Sequence, residues 1–394
     1  MVKLAIMGPG DELYFWWGHI GIIIEDYGTN KSRFYDWGIF SFDNDNFYRN
    51  FAFGRLLYTC DATSPEWNYR SYISHDRDIT LYTLDLSAEK KKEIQRFAEW
   101  NILPENKDYY YNQFWDNCAT RVRDIVDTAL DGQFREKYEN TPGRFSLRQH
   151  IRRHTWFSPF YDWILNFWLG RVIDRPISVW DEMFLPSEIA LRIQEYSYAD
   201  PDGKEHQLVS SVETIFNSTD RPAVLDTPRR QWPRELVAGC AAALVFAMLL
   251  FFRSRDNSAA HIVWALSQGG VGLFFGAAGS ALFFMMFFTN HDYTYYNNNI
   301  LFVNPLLLGA LPLGILYCCA DSPQKKFKWE YIIKTLWSWV FFFGIVCMLM
   351  NIFPVLRQQN KVDLALIMPA AAVLSWFPDL LVYIRREYLW RWLN

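Results

Sequence analysis

From residue 235 onward the chain is a succession of apolar runs, and they leave it almost no choice of environment. Five stretches, at about 235–252, 266–288, 300–319, 331–353 and 363–384, come close to the roughly 20 residues that span the hydrocarbon of a bilayer. Joined by short polar loops, they could not all be core helices of a soluble protein, because such a globule would have no polar face to offer water. The second half is therefore expected to be an all-α bundle of about five transmembrane helices. Residues 1 to about 232 are of another kind, with charges throughout, many Trp and Tyr, and turn-forming Asp, Asn and Gly.

Loop charges orient the bundle, since Lys and Arg are retained on the cytoplasmic side. Arg253 and Arg255 mark the first loop, Lys325, Lys326 and Lys328 the third, and Arg385, Arg386 and Arg391 the tail. The second loop, "TNHDYTYYNNN", has neither residue type, and the fourth has only Arg357 and Lys361. This alternation places the C-terminus in the cytoplasm and everything before residue 235 outside. Arg229, Arg230 and Arg234 dissent, because they stand on the outer side of the first span. An exported N-terminal domain calls for a leader, and "MVKLAIMGPG" is too short and too soon broken by Gly-Pro-Gly to be one. Either the chain begins after a removed segment, or its start was assigned late. The net charge of −4 gives no reason to expect nucleic-acid binding.

The outer half reads as α+β. "KLAIM", "GHIGIII", "RFYDWGIF", "FGRLLYTCDA" and "RDITLYTLDL" are strand-like, with "EDYGTNKS" as a hairpin loop between the second and third. "SAEKKKEIQRFAEWNI" opens on Ser87 as N-cap and predicts a helix. "DNCATRVRDIVDTAL" predicts another, with Ala119, Val122, Ile125, Val126, Ala129 and Leu130 on one face and Gly132 as the stop. "FYDWILNFWLG" and "SVWDEMFLP" are helical and rich in Trp, suited either to a membrane interface or to an ordinary core. The expected domains are 1–188 for the outer domain, 189–233 for a polar ribbon and linker, and 234–394 for the membrane bundle.

Of six cysteines, four (Cys240, Cys318, Cys319 and Cys347) fall in the apolar spans, so no disulfide framework is implied. Cys60 lies inside a strand and reads as core. Cys118 stands at the first turn of its helix, after Asp116 and Asn117, where the positive end of the peptide dipoles favours a thiolate. Such a nucleophile needs a base, and His19, at the start of the apolar strand in "FWWGHIGIII", is the candidate. A tight hairpin brings residue 19 opposite about residue 38, which puts Asp36 on the face of His19 as the group that would orient the imidazole; a slip of one residue would put Tyr35 there. The Cys118 amide is available to an oxyanion, with Asn117 or Tyr14 as further donors. His75, His150, His154 and His206 lie among polar residues and read as surface. No zinc spacing, phosphate loop or serine elbow is present in the sequence, and no cofactor is expected. In the second outer loop, His291 and Asn299, with Asp292, Asn297 and Asn298, either bind a headgroup or the acceptor's amine, or form a solvated connection.

"GPGDELYFWWGHIGI", "YDWGIFSFD", "FGRLLY" and "YYYNQFWDNCATRVRD" resemble, in that order, the Lnb N-terminal periplasmic domain family. "FLP" near residue 185 and "FFTNHDYTYYNNNILFVNPLLL" are similar to its later landmarks. The resemblance implies a circularly permuted, papain-like (NlpC-like) domain with His19 and Cys118 as the reactive pair. It also implies lipoprotein N-acyltransferase activity: Cys118 takes an acyl group as a thioester from a phospholipid donor, and the α-amine of a lipidated N-terminal cysteine on a lipoprotein receives it. The lipid bilayer is the implied site of the encounter. Two competitors are a cell-wall peptidase of the NlpC type, which has no use for a large membrane bundle, and a membrane scaffold whose His19 and Cys118 no longer react.

Overall fold

The computed structural model describes residues 1–40, 46–200, 202–255 and 257–384. It divides into two compact units, one made of residues 1–157 and 175–228, the other of 158–174 and 229–394.

The first unit is built on an antiparallel sheet. Its strands are β1 (Val2–Met7), β2 (His19–Asp26), β3 (Lys31–Ile39), β4 (Leu57–Thr63), β5 (Ile79–Leu84), β6 (Asp108–Tyr110) and β9 (Val209–Phe216), in the spatial order β6-β4-β3-β2-β1-β5-β9. The segment expected as ribbon and linker thus supplies an edge strand, after a hairpin of β7 (Ser197–Ala199) and β8 (Glu205–Gln207). The middle strands are apolar on both faces because both are covered. Leu4, Ile6, Ile20, Ile22, Ile24 and Trp37 pack toward the helices on one side, while Ala5, Met7, Ile23, Phe34, Ile79 and Leu81 pack on the other. A run such as "IGIII" therefore does not alternate, and burial on two faces is the reason.

The helices around this sheet follow from their caps. α1 (Phe47–Ala52) is short; α2 (Pro65–Ser74) starts from Ser64, whose side chain accepts the Trp67 amide, with Pro65 in the first turn where it needs no N–H partner. α3 (Ala88–Asn101) is capped by Ser87, as its sequence predicts. α4 (Cys118–Ala129) buries Ala119, Val122, Ile125, Val126 and Ala129, and the chain turns off it through Gly132 at φ +84°. The remaining helices are α5 (Gln133–Glu139), α6 (Leu147–Thr155), α7 (Pro159–Trp168), α8 (Val179–Glu182) and α9 (Pro186–Glu195).

His150 and His154, read above as surface residues, are buried on α6. Each has a hydrogen-bond partner: His150 Nε2 lies 3.0 Å from Glu182 Oε1, and His154 Nδ1 lies 3.0 Å from the Trp16 carbonyl, although His154 Nε2 has none among the described residues. Local polarity misled here, since the residues flanking them are themselves drawn into buried ion pairs. Arg153 Nη1 donates to Glu188 at 2.9 Å, and Arg144 Nη2 does so at 2.6 Å.

The second unit contains α7 and the helices α10 (Trp232–Arg253), α11 (Ser258–Phe288), α12 (Ala310–Cys318), α13 (Pro323–Met350), α14 (Lys361–Leu374) and α15 (Phe377–Ile384). Among the described residues four segments are long and apolar enough to cross a membrane: Trp232–Arg253, Ser258–Phe288, Asn298–Cys318 and Pro323–Met350. The third begins as 3-10 turns, Asn298–Leu301 and Pro305–Gly309, before α12. The fifth apolar run folds as two pieces, α14 and α15. Ser375 is extended between them, and Pro378 brings no N–H to continue the ladder. The tail arginines Arg385, Arg386 and Arg391 lie outside the described residues.

Small residues on α11 carry close packing. A side chain on Gly272 would run into Ala310, one on Gly276 into the Leu307–Leu308 backbone, and one on Gly279 into Asn304. Ser280, one turn after Gly276, donates its hydroxyl to the Gly276 carbonyl at 2.7 Å.

Candidate active site

His19 opens β2 directly after Gly18, whose φ of +77° lies in the left-handed region, and a Cβ there would stand 2.8 Å from the Met7 carbonyl oxygen. Glycine is thus required for the aromatic segment to turn into the strand. In the β2–β3 pairing Gly21 faces Asp36, the register in which residue 19 continues toward residue 38. Asp36 therefore shares a face with His19, and His19 Nε2 lies 2.6 Å from Asp36 Oδ1. Both side chains are largely buried, at 16% and 15% exposed. Tyr35 points the other way, and its hydroxyl donates to Glu99.

Cys118, buried, is the first residue of α4. Asn117 is the cap: its Oδ1 accepts the Thr120 amide at 2.9 Å, and the Thr120 hydroxyl accepts the Asn117 amide at 2.8 Å. Its Nδ2 donates to the carbonyls of Gln113 and Phe184, at 2.8 and 3.0 Å. Both amide hydrogens are thereby spent on the fold, so the side chain orients the helix start and has none left for an oxyanion. Among the described residues the amides of Cys118 and Ala119 have no hydrogen-bond acceptor. They are the ordinary orphan donors of a helix N-terminus, aimed where charge on a bound carbonyl could collect.

The imidazole and the thiol come from opposite faces of the sheet. Asp36 shares its face with Phe34, beneath α2, whereas Cys118 belongs to the core cluster of α4. They meet at Gly38, where β3 is irregular between Trp37 and Ile39 and φ is +98°. A Cβ on Gly38 would lie 3.7 Å from Cys118 Cβ, 3.8 Å from His19 Cε1 and 3.9 Å from Tyr111 Cε2. These are ordinary contact distances, so Gly38 marks the point on which the three groups converge, and its left-handed φ rather than lack of room is what calls for glycine. A lone Gly inside "RFYDWGIF" is a bulge signal, and it could have been read from the sequence.

Tyrosines surround the pair. The Tyr72 ring stacks on His19 at 6.3 Å between centroids, and Tyr58 stacks on Tyr111 at 4.2 Å. Tyr109 is buried, and its hydroxyl has no hydrogen-bond partner among the described residues. Burial pushes Tyr58 and Tyr72 up to about 12, and holds Tyr109 and Tyr111 well above the ordinary phenol range; the charge of Cys118 adds to the rise at all four. Near neutral pH they remain O–H donors. Burial opposes charge on His19, but Asp36 leads a set of influences that outweigh it, and the imidazole titrates well above the usual histidine value. Tyr109 and Tyr111 were foreshadowed only by the alternation in "YYYNQFWDNC". Tyr72 needed recognition of the Ser64-Pro65 helix start.

The other candidate positions are placed as follows. Tyr14 rides on an exposed 3-10 turn, Leu13–Phe15, with its ring edge-on to Phe15 and Phe40. Cys60 is core, its Sγ 3.1 Å from the Asn101 carbonyl. His291 and Asn299 belong to the second unit. His291 is buried with Nδ1 2.8 Å from the Tyr293 hydroxyl. Asn299 Nδ2 donates to Phe167 O and Asp363 Oδ2, and its Oδ1 accepts from Asn360. Asn299 is thus saturated inside a buried network, which leaves no amide hydrogen for a headgroup and corrects the picture of an open, solvated loop.

An α+β domain holding a thiol, an imidazole and a carboxylate at one end of its sheet, on a chain with membrane-spanning helices, defines the class: an integral membrane protein with an enzyme-like head. Residues 1–153 match the family model of the Lnb N-terminal periplasmic domain, and residues 236–374 match that of the Lnb transmembrane domain, so the chain is an Lnb-type protein with a periplasmic N-terminal domain. No curated protein and no solved structure matches it. The family domains suggest a membrane protein that modifies lipoproteins, an enzyme of the acyltransferase type.

Proposed function

We propose that this chain is a cysteine acyltransferase of the inner membrane, with its C-terminus in the cytoplasm, that N-acylates the α-amine of the lipidated N-terminal cysteine of lipoproteins. The observation that carries the reading is the His19–Asp36 pair at 2.6 Å beside a thiol at a helix start, in a chain of the Lnb family. His19 takes the proton of Cys118 while Asp36 stabilises the imidazolium. The sulfur attacks the ester carbonyl of a phospholipid acyl chain, and the oxyanion is met by the Cys118 amide and the Tyr109 phenol. As the C–O bond breaks, the lysolipid oxygen takes the proton from His19, leaving a thioester on Cys118. The acceptor amine then adds to that carbonyl, the C–S bond breaks, and the amine's proton returns through His19 to the sulfur. The buried, tyrosine-lined surroundings disfavour water as the resolving nucleophile.

The test is a hydroxylamine-sensitive acyl label on Cys118, together with mass spectrometry of lipoprotein N-termini from cells carrying Cys118→Ala as their only copy. The expected result is a label on the wild type, none on the variant, and lipoproteins lacking the N-linked chain. Lipoproteins that keep the full set of chains in the variant would overturn the proposal.

A further inference from the structure

Arg77, in the loop that leads into β5, is fully buried and has no salt-bridge partner among the described residues. Its Nε donates to the Gly8 carbonyl at 2.9 Å, but among the described residues Nη1 and Nη2 have no hydrogen-bond partner. Its guanidinium carbon stands 4.2 Å from the Phe15 ring centroid and 4.7 Å from that of Tyr72, the ring that stacks on His19. Two aromatic faces replace part of the lost hydration, yet the four N–H bonds on the terminal nitrogens are unspent. A cation left in this state is costly unless an anion joins it.

The position in the fold connects the cation to the reaction. Met7 pairs with both His19 and Ile79, so Gly8, His19 and Arg77 gather at one end of three adjacent strands. Arg221 also acts on Arg77 but is tied to Asp11 at 2.8 Å, and Glu12 acts in the opposite sense, so the unspent N–H groups of Arg77 itself are what an anion would meet. A planar fork with two free NH₂ groups matches the paired oxygens of a phosphate or phosphodiester. Phe15 covers one face from a three-residue turn whose Leu13 and Tyr14 are exposed, so a ligand reaches Arg77 by displacing that turn.

We infer that Arg77 binds the phosphodiester of the acyl donor, setting the ester of a glycerophospholipid in front of the Cys118–His19 pair. This rests on the acyltransfer reading above and narrows it: the donor is a glycerophospholipid that is read by its phosphodiester, and diacylglycerol, which lacks one, is a poor substitute. A free inorganic phosphate has the same oxygens, and the experiment separates the two.

The full-length protein in detergent micelles is given acyl-labelled phosphatidylethanolamine or diacylglycerol with the same chains, and a diacylglyceryl-cysteine lipopeptide as acceptor. The wild type is expected to use the phospholipid at least tenfold better. Arg77→Gln should lose that preference by a rise in KM for the phospholipid while turnover of diacylglycerol stays as it was, which also shows that the variant is folded. Arg77→Lys, which keeps the charge without the fork, should recover part of the preference. Equal loss on both donors in Arg77→Gln, with Arg77→Lys no better, would make Arg77 purely structural and overturn the inference. So would a wild type that ignores the phosphate, or one without donor preference whose diacylglycerol turnover inorganic phosphate inhibits only when Arg77 is present, since the site would then serve a free anion. Absence of transfer from either donor by the wild type would overturn the acyltransfer reading itself, and this inference with it.

Discussion

The first unit holds two buried histidine–carboxylate pairs, and they are built to opposite ends. His150 faces Glu182 at 3.0 Å, its other nitrogen receives Arg153 Nη1 at 2.9 Å, and Glu182 also accepts the Phe145 amide at 2.8 Å. His19 faces Asp36 at 2.6 Å, but among the described residues its second nitrogen has no such structural partner; the carbon beside it, Cε1, borders Gly38 together with Cys118. Both nitrogens of His150 are tied into the fold, although Glu182 Oε2 has no partner among the described residues, whereas His19 keeps one nitrogen over next to a thiol and a set of protonated phenols, which is what the proposed chemistry requires. A histidine–carboxylate pair thus serves stability in one place and, on the function proposed above, chemistry in the other.

The largest effect that would break this contrast is on catalysis. Cys118→Ala should lower acyl transfer by on the order of 10⁴-fold, with an unchanged melting temperature for the full chain in detergent. Glu182→Gln should do the reverse: removing one partner of a buried pair costs roughly 3–5 kcal/mol, and the surviving folded protein should keep its specific activity. Asp36→Asn should slow turnover by about 10²-fold. Because Asp36 leads the forces that raise His19, the acid limb of the pH–rate profile should move to lower pH in that variant. A profile that stays in place would mean that some other group sets the limb.

The smallest effect sharpens the comparison through the sign of its pH dependence. Burial pushes His154 down to about 4, so between that value and about 6.5 the unfolded chain binds the extra proton. Stability should therefore fall by about 2 kcal/mol from pH 7 to pH 5 on this account, and the fall should vanish in His154→Phe. His19 works the other way. With its folded value raised, its contribution is complete below the unfolded value and is lost as pH rises through the folded one. Denaturant titrations of wild type, His154→Phe and Asp36→Asn across this range would separate the two contributions.

Much of the fold was legible because it rests on local rules. Ser87 and Asn117 cap their helices, the apolar face of α4 is buried as its spacing predicts, and the hairpin register that places Asp36 on the face of His19 follows from strand alternation. What escaped was non-local. β9 has an exposed, polar pattern and becomes a strand only because β5 offers an edge. His150 and His154 are buried because Glu182 and the Trp16 carbonyl arrive from distant segments to satisfy them. The asparagines of the second outer loop are saturated by Gln358 and Asn360, which lie about 60 residues away.

By itself the sequence determined where the chain enters the bilayer, which residues begin its helices and strands, and which side chains have the chemistry to react, since hydrophobic length, capping and side-chain period act over a few neighbours at a time. Only the tertiary structure decided which of those side chains meet. Groups from opposite faces of the sheet converge on a glycine in an irregular stretch of strand, distant tyrosines close around them, and a buried arginine among the described residues is left with unspent hydrogen bonds. Contacts of that kind are set by how elements far apart in the chain pack together, and no local pattern encodes them.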